Sequence, residues 1–216
     1  MAPVRSAFAR RIVLVDDHAV VRRGLRQLFD REPDLSVCAE ADTLDGGFRA
    51  VEREGPDLLV TDLTLEGRGG IELTEQVRRY HPSVPVLVVS MHDEALFAQR
   101  AFAAGARGYV TKRRAEREVV LAARAVLAGG TYVNDGGALV VDSPPQDPVA
   151  GLTDREFEVF LLLGQGYTPR HVAEALCLSV STVEAHRERM KGKLGVESSP
   201  MLLRYAVAWC KDQETA

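Results

Sequence analysis

The first 130 residues repeat one pattern five times: a short apolar run followed by a longer amphipathic stretch. The first repeat has its apolar run at 12–15 and apolar side chains at helical spacing from 18 to 31. The other apolar runs are at 35–39, 57–61, 84–89 and 107–111, and the amphipathic stretches are at 44–53, 71–80, 94–104 and 116–128. Runs that are apolar throughout are typical of strands buried on both faces. The sequence therefore predicts an α/β domain, a flavodoxin-like doubly wound (βα)5 fold with a parallel sheet between helices.

The alternation ends after Gly130, and a polar, proline-rich segment at 142–148 cannot continue a helix or a central strand. Beyond it the chain carries only helical signals: a capping box at 153–156, a Thr-Pro start at 168–169, a serine cap at 179 or 181, and a Ser-Pro start at 199–200. Two helices joined by a tight turn and supported by others form a helix-turn-helix layout. We predict an α/β domain at 10–130, a linker at 131–148 and a small all-α four-helix helix-turn-helix domain at 149–214.

The composition excludes several classes of protein. The chain has 216 residues, of which 46% are hydrophobic and 27% charged, and its mean hydropathy is −0.08. This is the composition of a globular protein, and no apolar run approaches the roughly 18 residues of a membrane span. The sequence shows no secretory signal, and its three separated cysteines favour neither a disulfide framework nor a zinc site. We expect a cytoplasmic protein that does not contact a membrane.

The charge argues mildly against a nucleic-acid partner, because the whole chain has a net charge of −4. Residues 148–216 carry 8 basic and 9 acidic side chains, so neither half is basic. Any DNA binding must come from the local placement of charge.

Carboxylates follow two strands that are neighbours in a sheet of order 2-1-3-4-5. Asp16 and Asp17 come directly after the first strand and Asp62 directly after the third. Three carboxylates that converge repel one another, and the usual solution is a hard divalent cation such as Mg²⁺. Ligands of such sheets also bind at the carboxyl ends of the strands.

Lys112 and Ser90 end two further strands at the same edge. Only four of the 27 basic side chains are lysines, and Lys112 is the only lysine before residue 191. Its ammonium is a compact point charge suited to an aspartate or a phosphoryl oxygen. An aspartate beside Mg²⁺, a lysine and a hydroxyl can attack a phosphoryl donor and hold the acyl phosphate. Taken singly, each of these residues is equally consistent with a helix cap or a solvated surface charge.

At these residues the sequence resembles the receiver domain of two-component response regulators, over residues 12 to about 128. The acid pair, the lone aspartate, the serine, the aromatic Tyr109 and the lysine occur in the same order. With its C-terminal half, the chain resembles the NarL/FixJ family, which has a LuxR-type DNA-binding domain. The matching C-terminal residues are Leu152 to Glu156, Gly166, Val172-Ala173, Leu176, Ser179, Thr182-Val183, His186 and Lys193 to Gly195.

The resemblance implies a role for each residue of the acidic site. Asp62 would be the phosphoacceptor for a sensor histidine kinase. Asp17, Asp62 and the Thr64 carbonyl would ligate Mg²⁺, with Asp16 in support. Ser90 and Lys112 would engage the phosphoryl group, and Tyr109 would report it to the face formed by the fourth helix, fifth strand and fifth helix.

The resemblance also makes the third helix of the C-terminal domain the recognition helix. Val183, His186, Met190 and Leu194 share one face and are predicted to be core. The opposite face is mixed in charge and alone would indicate a solvated helix with ion pairs. As base readers, glutamate accepts from cytosine N4 and arginine reads guanine. The candidate DNA-binding residues are Thr182, Glu184, Arg187, Glu188, Arg189, Lys191 and Lys193.

The last helix presents an apolar face that is larger than its own domain needs. Part of it must pack on the domain, and the remainder is available to pair two copies on a two-fold promoter site. The candidate dimerisation residues are Met201, Leu202, Tyr205 and Trp209. We therefore expect a homodimer on activation and double-stranded promoter DNA as the ligand.

One residue departs from the family pattern. The family usually has proline four residues after the phosphoacceptor, and this chain has Glu66 there. The change adds a carboxylate near an anionic site. Thr64 and His92 occupy the two positions that tune phosphoryl lifetime in the family, although a lone histidine is weak evidence of function.

Two other functions use the same residues. Haloacid-dehalogenase-type phosphatases also combine an aspartate nucleophile, Mg²⁺, Ser/Thr and Lys, but carry D-x-D after the first strand, where this chain has the bare pair Asp16-Asp17. A regulator controlled by protein contacts alone, with a vestigial acidic site, is the second alternative. The intact site residues argue against it, and Glu66 is the feature that keeps it open. The sequence favours a phosphorylation-controlled transcriptional regulator that is not an enzyme.

Overall fold

The computed structural model describes residues 9–65, 68–91, 94–133, 149 and 151–214, and for residues 68, 94–96 and 212–214 it describes the backbone only. The chain divides into two compact units, Met1–Pro144 and Pro145–Ala216. Within the described residues, no helix is both long enough and apolar enough to cross a membrane.

The first unit is built around a parallel sheet. Its strands are β1 (Arg10–Val15), β2 (Leu35–Ala41), β3 (Leu58–Thr61), β4 (Thr64–Leu65), β5 (Arg68–Gly69), β6 (Val86–Ser90), β7 (Gly108–Thr111) and β8 (Tyr132–Val133). Six of them form the main sheet in the order β2-β1-β3-β6-β7-β8, and every pair in it is parallel. The two-residue strands β4 and β5 pair with each other, antiparallel, in the loop after β3. The doubly wound α/β fold predicted from the alternation is confirmed.

Helices connect consecutive strands of the main sheet. They are α1 (Ala19–Asp30), α2 (Leu44–Glu54), α3 (Gly70–Tyr80), α4 (Glu94–Ala104) and α5 (Ala115–Leu127). All residues of β3, β6 and β7 are buried, as are the last four of β1. One face of the sheet packs on α1 and α5, from which Phe29 and Val119 are fully buried in the core. Burial on both faces explains why these strands are apolar throughout.

The sheet has one strand more than the five apolar runs predict. Tyr132 and Val133, which the sequence assigns to the linker, pair in register with Gly108 and Tyr109 as strand β8. The Tyr132 hydroxyl also donates a hydrogen bond to Glu118 on α5. A strand of two residues is too short to show a period in the sequence, so the pattern could not reveal it.

The second unit contains four helices, α6 (Asp154–Gly164), α7 (Pro169–Ala175), α8 (Val180–Leu194) and α9 (Ser199–Glu214). The predicted capping box is present, because Thr153 and Glu156 each accept a hydrogen bond from the other's backbone N–H. Ser179, rather than Ser181, caps α8 by accepting from the Thr182 N–H. The helix ends at Gly195, which has a φ of 66°. The helix-turn-helix layout is confirmed.

The core of this unit holds α6 against α9. The rings of Phe157 and Phe160 lie 5.5 and 5.8 Å from the Trp209 ring, both edge-on. The last residue of α6, Gly164, permits the close approach: a Cβ there would lie 2.5 Å from the Cys210 Sγ and 2.7 Å from the Ala206 carbonyl oxygen.

We predict that Gly164→Ala destabilises the second unit by about 1–3 kcal/mol, because backbone atoms would have to move to admit the methyl group. Trp209 is the only tryptophan of the chain, so its fluorescence during urea unfolding reports on this unit alone. The control is Gly192→Ala on α8, where nothing lies within 4 Å of the added Cβ and the better helix former adds ~1 kcal/mol of stability. Equal stability of the two variants would contradict the packing role.

Candidate functional site

The three predicted carboxylates meet at the carboxyl edge of the sheet. Asp16 and Asp17 follow β1, and Asp62 follows β3, which pairs with β1. The Asp62 N–H donates to the Val15 carbonyl at 2.8 Å and so continues that pairing beyond the strand. One ligand atom from each aspartate, and one from His18, all lie within 4.8 Å of one another. Strand pairing therefore forces the acidic groups together.

Lys112 brings the one ammonium group into contact with this cluster. Its Nζ lies 2.6 Å from Asp62 Oδ2 and 2.8 Å from Asp16 Oδ2. The three side chains are only 6%, 5% and 2% exposed. The backbone holds the lysine in place, since the Lys112 N–H donates to the Ser90 carbonyl at 2.6 Å. The structure thus brings together four of the predicted site residues.

Burial dominates the electrostatics of the Asp62 carboxyl group. It raises the pKa of Asp62 to about 6, with a further upward contribution from the Asp16 charge, while Lys112 opposes both. Burial also acts to lower the pKa of Lys112, but the charges of Asp62 and Asp16 outweigh it and the net shift is upward. The lysine is therefore protonated at neutral pH, and the three carboxylates carry more negative charge than it can balance.

The residues present fit a divalent metal ion. The Asp17 Oδ1 is buried, and the His18 Nδ1 lies 2.6 Å from it. The Asp62 carboxylate accepts a hydrogen bond from the Thr64 backbone N–H, which places Thr64 beside the cluster. Carboxylate and carbonyl oxygens are the ligands that Mg²⁺ prefers. Such an ion would offset the excess negative charge of the three carboxylates, whose ligand atoms lie within 4.8 Å of one another.

Two further predicted residues lie on the strands that end at this edge of the sheet. Ser90, the last residue of β6, is fully buried. Tyr109 on β7 is also fully buried, with no exposed surface. Glu66 and His92 lie outside the described residues.

Three residues around the site were not found by sequence reasoning. A Cβ at Gly70, the first residue of α3, would lie 1.8 Å from the Asp62 carbonyl oxygen, so only glycine fits against the acceptor loop. The Arg22 guanidinium donates to the Asp16 carbonyl. The His18 Nδ1 lies 2.6 Å from Asp17 Oδ1. Of the three, only His18 could have been noticed in the sequence, because it directly follows the acid pair. The contacts of Gly70 and Arg22 depend on the fold.

The recognition helix predicted from the sequence is α8. Val183, His186 and Met190 are buried as predicted, and burial lowers the pKa of the His186 imidazole. The opposite face carries ion pairs: Arg187 Nη1 lies 2.6 Å from Glu184 Oε1, and Lys191 Nζ lies 2.8 Å from Glu188 Oε2. Both pairs are three residues apart.

The other predicted DNA contacts differ in how accessible they are. The Thr182 hydroxyl lies 2.7 Å from the Ser179 hydroxyl at the start of α8. Arg189 is exposed and donates to the Ala185 carbonyl of its own helix. Lys193 lies 2.7 Å from the buried Glu156 carboxylate, so it joins the end of α8 to the start of α6. Arg189 and Lys193 are both exposed, but Lys193 is already paired with a carboxylate.

The predicted dimerisation residues divide between core and surface. Leu202 is fully buried. Tyr205 and Trp209 pack on the phenylalanines of α6. Met201 is 40% exposed, and Leu203, which was not among the predicted residues, is 42% exposed.

Comparison with known proteins gives the same division of the chain. The response regulator receiver domain family matches residues 12–124. The family of bacterial regulatory proteins of the luxR type matches residues 150–206. The oxygen regulatory protein NreC of Staphylococcus haemolyticus (strain JCSC1435) is 33% identical over 211 residues, which cover 91% of this chain and 96% of the relative.

Solved structures that are similar to the chain include two response regulators. A two-component response regulator of the LuxR family from Aurantimonas sp. SI85-9A1 is 43% identical, with a TM-score of 0.57, over 59% of this chain and 91% of that one. The response regulator ChrA of a haem-sensing two-component system is 32% identical, with a TM-score of 0.52, over 94% of this chain and 98% of that one.

We predict that, without divalent cations, Asp62 titrates near pH 6 and that Mg²⁺ moves this titration to lower pH. Because folding favours the protonated form, this carboxyl group adds stability as the pH falls from about 7 towards 4. Carboxyl-carbon NMR of the full chain measures the titration, and the signal lost in Asp62→Asn assigns it. Asp34, whose pKa is lowered by its hydrogen bond from Arg124, is the internal control. Titration of Asp62 near pH 4 without metal would contradict the burial argument.

We also predict that Lys193→Met lowers the free energy of unfolding of the second unit by about 1–2 kcal/mol, because it leaves the buried Glu156 carboxylate without its cation. Trp209 fluorescence in urea measures the loss. The matched control is Lys211→Met, whose exposed side chain lies in the last turn of α9. A loss of DNA affinity with no loss of stability would instead make Lys193 a DNA contact.

Proposed function

Since the chain belongs to the NarL/FixJ family of response regulators, with a receiver domain followed by a LuxR-type DNA-binding domain, we propose that it is a transcriptional regulator controlled by phosphorylation of Asp62. The phosphoryl group would come from a sensor histidine kinase. The observation that carries the proposal is the contact of the buried Lys112 ammonium with both Asp16 and Asp62 at the carboxyl edge of the sheet.

The geometry suits acceptance of a phosphoryl group by Asp62. One of its carboxylate oxygens forms the bond to phosphorus while the bond from phosphorus to the donor nitrogen breaks, which leaves an acyl phosphate. Deprotonation precedes attack, and a carboxyl group with a pKa of about 6 is mainly ionised at pH 7. Burial at the end of β3 fixes the carboxylate and limits the access of water to the acyl phosphate.

Asp16, Asp17, Asp62 and the Thr64 carbonyl are the residues that would hold Mg²⁺. When bound, the ion supplies positive charge that neutralises the oxygens of the transferring group. The three aspartates of this set carry the excess negative charge described above.

Lys112 and Ser90 act on the phosphoryl group once it is attached. The ammonium, which bridges two carboxylates before phosphorylation, has a new anionic partner afterwards. The Ser90 hydroxyl, at the end of the neighbouring strand, is the hydrogen-bond donor at the same edge. Tyr109 is buried in β7 three residues before the lysine, and in the proposal it responds to the phosphoryl group through Lys112 and Ser90.

In the proposal the second unit binds double-stranded promoter DNA as a dimer, with α8 in the major groove. Met201 and Leu203 are the exposed apolar residues of α9 available for pairing two copies. Leu202, Tyr205 and Trp209 support this surface from within the unit. Asp62 serves as an acceptor of regulatory phosphate and not as the nucleophile of a phosphatase.

We predict that the full chain, incubated with Mg²⁺ and acetyl phosphate, gains the mass of one phosphoryl group that is stable in acid and labile in base. Asp62→Asn should gain none, because only a carboxylate forms the acyl phosphate. Asp17→Asn should also fail, through loss of Mg²⁺, and Lys112→Arg should label but not increase dimerisation or DNA binding. Intact mass spectrometry and light scattering measure the two steps.

Asp57→Asn is the control. This carboxylate pairs with Arg10, and it directly precedes β3, whereas Asp62 directly follows that strand. Labelling of Asp62→Asn to the level of the wild type would contradict the phosphoacceptor assignment. Full labelling with no change in mass or DNA affinity would favour control by protein contacts alone, and turnover of small phosphate esters would favour a phosphatase.

A further inference from the structure

The two ion pairs on α8 share an arrangement that the sequence does not show. In each pair the carboxylate is the exposed partner and the cation is the sheltered one. Glu184 is 45% exposed while Arg187 is 15% exposed, and Glu188 is 64% exposed while Lys191 is 18% exposed. In both pairs the outward group is therefore an acceptor and not a donor.

Arg187 is held firmly behind its partner. Its Nη1 lies 2.6 and 2.8 Å from the two oxygens of Glu184. Its Nε–H is buried and donates no hydrogen bond to the part of the chain that the structure describes. To reach a base edge, this guanidinium would have to leave both the carboxylate and its sheltered position. Glu184 needs no such movement.

The two glutamates are four residues apart, so they lie on the same side of α8 about one turn, or 6 Å, from each other. Both are in the first nine residues of the helix. In helix-turn-helix proteins the N-terminal part of the recognition helix contacts the base edges. Since base pairs are stacked 3.4 Å apart, the two carboxylates can face bases within two base pairs of each other.

We infer that α8 reads DNA through Glu184 and Glu188, which accept hydrogen bonds from exocyclic amino groups of bases, with cytosine N4 as the preferred donor. A carboxylate can only accept, and the major groove offers amino donors on cytosine and adenine. Arg187 and Lys191 are positioning residues in this inference: they fix the carboxylates and offset their repulsion by DNA phosphates. The inference rests on the proposed function, because it assumes that α8 enters the groove.

The inference assigns non-specific binding to other cations. A cation contributes to the salt dependence of binding only where it replaces a counterion on a phosphate. Arg187 already has a carboxylate partner, whereas Arg189 is exposed and none of the described carboxylates pairs with it. Arg189 should therefore contribute to the salt dependence and Arg187 should not.

The test is selection of duplex DNA from a random library by the full chain, treated with acetyl phosphate and Mg²⁺. The wild type should select sites with a cytosine at each of two positions within two base pairs. Glu184→Gln should change one of these to adenine, because glutamine pairs with adenine N6 and N7. The matched control is Glu174→Gln on α7, which removes an exposed pair with Arg170 and should leave the selected sequence unchanged.

A base analogue tests the same contact from the DNA side. Replacing the selected cytosine by 2-pyrimidinone, which lacks the N4 amino group, should weaken wild-type binding about tenfold or more. The same replacement should leave the affinity of Glu184→Gln for that site nearly unchanged. Arg189→Ala should lower the magnitude of the salt slope by about 0.9, and Arg187→Met should leave the slope unchanged while weakening the cytosine preference. Trp209 fluorescence verifies that each variant is folded.

The outcomes separate this inference from the proposed function. If the phosphorylated wild type selects no duplex sequence, the proposed function fails. If it selects a sequence that Glu184→Gln leaves unchanged, or if Glu184→Gln gains a guanine preference because Arg187 has been freed, the acceptor role fails alone. Loss of a guanine preference in Arg187→Met would also overturn it.

Discussion

The bridge from the Lys112 ammonium to Asp16 and Asp62 is the interaction on which the first unit depends. Burying two carboxylates that are 2% and 5% exposed side by side costs free energy, through desolvation and mutual repulsion. The Lys112 ammonium, 2.6–2.8 Å from both, offsets part of that cost. The compensation is incomplete, because Asp17 adds a third carboxylate. The site is thus held together before any phosphoryl group arrives, yet it keeps a net negative charge that further positive charge would offset. In the proposed function, that residual charge is what would make the site responsive to Mg²⁺ and to a new anion on Asp62.

Much of this architecture was predictable because it depends on burial and on strand order. Buried parallel strands must be apolar throughout, so the five repeats were readable, and the ends of neighbouring strands must meet, so Asp16, Asp62 and Lys112 could be placed together. The closeness of Gly70 to Asp62 was not predictable. It arises from the angle at which α3 starts, and the sequence shows only a glycine after a glycine. The two residues of β8 were missed because so short a segment has no period.

The C-terminal unit shows a different limit. Its caps at Thr153 and Ser179 follow local rules and were predicted residue by residue, apart from the choice between two serines. The partners of the charged residues were harder to predict from the sequence. Lys193 pairs with the buried Glu156 on another helix, and no spacing along α8 indicates this. The sequence supplied the i,i+3 pairs on α8 as one possibility. Which member of each pair faces outward is a property of the packed helix.

The position of β8 shortens the distance over which the first unit can pass a signal along its own chain. Tyr109 pairs in register with Val133, and Gly108 with Tyr132, so the strand that leads to Lys112 is hydrogen-bonded directly to the beginning of the predicted linker. A displacement of β7 by a fraction of an ångström is thereby shared with β8 through backbone hydrogen bonds, which are stiff, rather than through side-chain packing, which can relax. The segment through which the chain leaves the sheet therefore moves together with the strand that leads to Lys112.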